Sequence, residues 1–147
     1  VSFDGVAEEL AIRARLSTLA GGRILDDTPD DESVPVSDTG KARPYIVLSV
    51  GVPFPKADGG RSFGEGEKQI PYTMTLVVGC YAGDRDSLNA LYQAVVQRLV
   101  DWAPVPDNDT VLAIRSAVNG SQKAAGARPA TYAKIVALVC TINMAGG

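Results

Sequence analysis

Residues 72–99, YTMTLVVGCYAGDRDSLNALYQAVVQRL, change their apolar period once, and that change decides the fold. Tyr72 to Ala82 is dense in β-branched and aromatic residues and ends at Gly83, which reads as a strand. Gly79 inside it marks a candidate bulge. From Arg85 to about Asp101 the spacing switches to that of a helix. Leu88, Leu91, Tyr92, Val95, Val96 and Leu99 recur at i, i+3, i+4, while Asn89, Gln93 and Gln97 face away. Asp84 stands where an N-cap belongs, and Trp102, Pro104 and Pro106 close the segment. A strand feeding a helix with a single apolar stripe predicts a helix lying on a sheet by one face.

Working outward, Tyr45 to Val52 (YIVLSVGV) reads as a strand bounded by prolines. Arg23 to Leu25 reads as a short one. Thr110 to Val118 and Thr131 to Met144 read as a closing pair. The second is apolar on both faces from Ile135 to Ile142, which suits a central or doubly covered strand. Two polar segments rich in Pro and Gly, residues 26–44 and 53–71, read as long loops. The first holds Asp26, Asp27, Asp30, Asp31 and Glu32. The chain is therefore expected to be one α+β domain over residues 1–147, with two helices packed on a largely antiparallel sheet.

The first helix, Asp4 to about Leu19, is stopped by Gly21-Gly22 and carries two apolar stripes. At about 100° per residue, Phe3, Val6, Leu10 and Ala14 share one face, and Ile12, Leu16 and Leu19 lie about 180–240° from Leu10. A helix on a monomer needs one stripe. Ile12, Leu16 and Leu19 are accordingly expected at a contact with another subunit, the alternative being that the domain's own loops cover both stripes. Arg61 and Phe63, an arginine and an aromatic among glycines in the second loop, are expected to reach a neighbour too.

The chain contains no histidine among its 147 residues, which excludes Ser-His-Asp and Cys-His nucleophilic sites in their usual form and every zinc site that uses imidazole. Cys80 and Cys140 sit in apolar runs and read as buried reduced thiols. Gly59 and Gly64 have P-loop separation, but Glu65 occupies the place of the lysine and would repel a phosphate. Gly64-Glu65-Gly66 is half a dinucleotide fingerprint, with Gln69 in the place of the third glycine. The acidic cluster lacks the alternating ligands of a calcium loop. Lys134 reads as a strand lysine that snorkels to water. No catalytic, metal or cofactor-binding residue is expected, and no cofactor. A net charge of −3, with 14 scattered basic residues, predicts a chain that tolerates DNA without gripping it. No run approaches the ~20 apolar residues of a membrane span, and no export signal opens the sequence, so synthesis is expected in the cytoplasm.

The order of elements resembles that of tail terminator proteins of long-tailed phages, particularly those infecting actinobacteria. The resemblance lies in the helix Phe3 to Leu19, the strand opened by Pro44-Tyr45-Ile46-Val47, and the strand ending at Cys80-Tyr81-Ala82. It continues through the turn Gly83 to Ser87, the helix LNALYQAVVQRL and a closing hairpin. It implies a structural virion protein that forms a ring, hexameric in that family, at the head-proximal end of the tail tube. Such a ring stops tube polymerisation and docks the head connector, and DNA passes through it without specific binding. The implied partners are further copies of the chain, the tail tube protein and the head–tail connector protein. The alternatives are another neck, connector or minor tail protein, or a small carboxylate-based α+β enzyme or ligand-binding domain.

Overall fold

The computed structural model describes residues 6–26, 36, 42–55, 69–106, 109–120 and 132–145. In chain order these form α1 (Val6–Leu16), a 3-10 turn (Leu19–Gly22), β1 (Ile24–Leu25), β2 (Tyr45–Val50), β3 (Phe54–Pro55), β4 (Gln69–Ala82), α2 (Arg85–Leu99), β5 (Ala113–Gly120) and β6 (Tyr132–Ala145). The sheet order is β1-β2-β4-β6-β5. β1 runs parallel to β2, and the other pairs are antiparallel. This is the expected α+β architecture.

The backbone of the sheet is the β4–β6 ribbon, paired without a shift from Gln69↔Ala145 to Ala82↔Tyr132. β2 and β3 share the other edge of β4. Val50 pairs with Leu76, Gly51 N–H donates to the Thr75 carbonyl at 2.8 Å, and pairing resumes at Phe54↔Thr73. They are one strand interrupted at residues 51–53, so the second long segment contains a short strand, and β4 begins three residues before the expected Tyr72. The bulge expected at Gly79 is absent there. It lies in β5, where Ile114 pairs with Leu138 and Ser116 with Ala137, leaving Arg115 as the extra residue.

α2 forms as its spacing dictates. The Asp84 carboxylate accepts from Ser87 N–H at 2.7 Å, which satisfies one of the open donors of the first turn. Leu88, Leu91, Val95 and Leu99 are buried, and Asn89, Gln93 and Gln97 are exposed. The stripe lies on even-numbered residues of the ribbon: Met74, Leu76, Val78 and Cys80 of β4, and Val136, Leu138, Cys140 and Ile142 of β6. α1 ends at Leu16, before Leu19. Its last turn carries Arg13 and Arg15, favourably placed against the helix dipole.

Ile12 and Leu16 belong to this core and are 0 % exposed, while Leu19 is half-buried against it. The opposite stripe is the outer one: Val6 is 48 % and Leu10 62 % exposed. This corrects the interface expected at Ile12 and Leu16. The chain itself covers the face holding these two side chains, and the surface they could offer a neighbour is gone.

Cys80 and Cys140 are free and buried, as expected. Cys80 aligns with Lys134 and Cys140 with Met74, so six residues of ribbon separate them, a distance of about 20 Å. Burial pushes the Cys80 thiol up to about 12 against a smaller lowering by Lys134. Burial, then the carboxylates of Asp109 and Glu8, push Cys140 up to about 12. Both thiols should be silent to a disulfide reagent in the native state and react only after unfolding. The folded state keeps these protons above the unfolded thiol value of about 8.5. Their contribution is therefore complete below that pH and is lost as pH rises toward 12. The slope is at most ~1.4 kcal/mol per pH unit for each thiol. The melting temperature should fall above pH ~9, and the fall should be shallower in a Cys80→Ala/Cys140→Ala variant. Equal slopes would contradict the assignment.

Candidate assembly surfaces

With both helices on one side, the sheet's other face is built from odd-numbered residues of the ribbon. Register places its rows. Val47, Gly79, Ile135 and Val118 form one, Ser49, Val77, Ala137 and Ser116 the next, and Thr75, Val139 and Ala113 a third. The middle of this face is apolar and open, with Val77 41 % and Val118 58 % exposed. At one end Tyr45 stacks on Tyr81, ring centroids 4.9 Å apart and planes 3° from parallel. Burial, then Tyr81, push the Tyr45 phenol up to about 12.

Gly79 makes that end possible. A Cβ there would stand 2.7 Å from Cε1 of the Tyr81 ring. Gly79→Ala should cost about 1–3 kcal/mol by overpacking, less about 0.5–1 kcal/mol regained from backbone entropy. In a Tyr81→Ala background the same change should be neutral or stabilising. Chemical denaturation of the four proteins of this cycle checks it.

β5 forms an edge of the sheet, and its helix-side residue Ile114 is 45 % exposed because α2 covers β4 and β6 instead. A third surface is a groove of about 570 Å³ lined by Ala11, Ala14, Arg15, Arg98 and Trp102. There the helices cap each other's C-terminal turns. Arg15 Nε–H donates to the Arg98 carbonyl at 2.9 Å, and an Arg98 terminal N–H donates to the Arg15 carbonyl at 3.0 Å. The Arg15 guanidinium lies over the Trp102 ring, 5.0 Å from its centroid. The Lys134 ammonium lies over the Tyr92 ring of α2, 5.3 Å from its centroid.

A chain of a gene transfer agent virion has this fold. It superposes over 93 % of the present chain and 92 % of its own length, with TM-score 0.56 and 17 % identity. A second solved chain, at TM-score 0.45 and 15 % identity, is too distant to argue from. No family model and no curated protein matches the sequence.

Among the described residues, no three His, Cys, Asp or Glu side chains come together as a metal site would require. Arg61 and Phe63 lie outside the described residues, as do most of the acidic run and both glycine-rich motifs near residues 59–66. The reciprocal arginine caps went unread because residues 83 positions apart make them. Arg15 and Arg98 at the two helix ends were the signal available, but it does not say that the ends meet.

Proposed function

We propose that the chain is a structural, non-enzymatic virion protein, the tail terminator of a long-tailed phage-like particle. In this reading, copies form a ring, hexameric as in tail terminators, on the head-proximal end of the tail tube. The ring ends tube growth and presents the surface on which the head connector docks. The observation that carries the reading is a fold shared almost end to end with a chain of a gene transfer agent virion. The open apolar sheet face and the exposed edge of β5 support it, since an uncovered apolar face is a surface that a neighbour stabilises by removing it from water. The net charge of −3 suits a channel through which DNA slides. Leu19, half-buried in one chain, together with Arg61 and Phe63 forms the proposed contact between copies.

Deleting the gene from a particle-producing host tests the role. Overgrown tails beside unjoined heads are the expected result. Tails of normal length that fail to join heads would instead make the chain a connector. Normal particles would end the proposal.

A further inference from the structure

The groove between the helix ends is both cationic and apolar. Arg15 spends one N–H on the Arg98 carbonyl, and its two terminal nitrogens have no partner among the described residues. The Trp102 ring holds that guanidinium from behind. Ala14 continues the outer stripe of α1 at one turn from Leu10, so apolar surface runs out of the groove. Oriented donors beside a ring and small side chains suit a carboxylate-rich peptide.

The chain carries such a peptide. Asp26, Asp27, Asp30, Asp31 and Glu32 fall within seven residues without a basic one. Its first member is tied elsewhere, because Asp26 pairs with Arg13. Arg13 and Arg15 are about 200° apart around the helix axis. The acidic run thus starts on the side of α1 away from the groove.

We propose that the groove of one copy receives the acidic run of a second copy, Asp30, Asp31 and Glu32 meeting Arg15 and Arg98 beside Trp102. Donor and receiver are different parts of one subunit, so the contact is head-to-tail and closes into a ring when the rotation allows. The inference rests on the ring reading for that closure. A segment of DNA is the poorer occupant: the groove holds two arginines in an acidic chain, where nucleic-acid grips need an extended basic surface.

Sedimentation equilibrium over a concentration series tests it. Wild-type chain should associate, more weakly as sodium chloride is raised. Arg15→Glu alone, and Asp30→Lys/Asp31→Lys/Glu32→Lys alone, should each weaken association by about 10-fold or more. An equimolar mixture should recover wild-type mass. In it the reversed groove meets the reversed segment, and the native groove meets the native one. Circular dichroism checks that each variant folds. If Arg15→Glu does not, the segment variant decides alone, because its changes leave the Asp26–Arg13 pair in place. A wild-type chain that stays monomeric, single variants that associate normally, or folded variants that fail to recover on mixing would each overturn the contact. So would a segment variant of unchanged mass and lowered melting temperature, which puts the run in its own groove, or a DNA duplex whose binding depends on Arg15 while mass does not. Any of these together with normal tail termination removes this contact and leaves the ring standing.

Discussion

Replacing Ile12 with alanine should lower the folding stability of the isolated chain by about 2–5 kcal/mol. Ile12 is 0 % exposed within the cluster that also holds Leu16, Ile46 and Leu99, and truncation there loses the transfer energy of the missing carbons and leaves a cavity. Leu10, two positions earlier and 62 % exposed, is the control. Leu10→Ala should change stability by no more than about 0.5 kcal/mol. Urea melts of the two variants measure both. A subunit-interface role for Ile12 would show the opposite pattern, an unchanged melt with weakened association. Leu91→Ala, on the inner stripe of α2, should behave like Ile12→Ala.

Deleting residues 57–68 and joining the ends with a short turn should leave the fold intact and abolish productive assembly. Pairing of Phe54 with Thr73 and Pro55 with Tyr72 holds the two ends of this segment side by side, so a tight turn can replace it. Shortening the connection to a quarter of its length should stabilise the chain by about 1 kcal/mol through reduced loop-closure entropy. A protein that melts at or above the wild-type temperature, yet yields few head-joined tails when it replaces the wild type in particles, is the expected outcome. It would place Arg61 and Phe63 in contacts between molecules. Normal tail length and normal joining in that background would show that the segment has no part in assembly.

Residues 72–99 contained most of the architecture because their determinants are local. The Asp84 cap needs only Ser87 three residues on, and the α2 stripe needs only a period of 3.6. β6 is more instructive. Its apolar run from Ile135 to Ile142 correctly indicated a central strand, and it does lie between β4 and β5. Only its even-numbered side is fully buried, however; Ile135, Ala137 and Val139 are half-buried on the open face. Periodicity records that a residue is apolar, and cannot say whether its own chain or another molecule covers it.

By itself, then, the sequence missed the short β3 inside residues 53–71 but determined α2 and the longer strands, the α+β class, the two reduced thiols and which face of α2 turns inward. Each follows from neighbours within a few positions or from residue type alone. Only the tertiary structure decided which stripe of α1 is core, that Gly79 makes room for the Tyr81 ring, and that the bulge falls at Arg115. It alone joined Arg15 to Arg98 across the two helix ends. The stripes of α1 were nearly equivalent in sequence, and packing against α2 and the ribbon broke the tie, because burial belongs to the surfaces that long-range contacts remove from water.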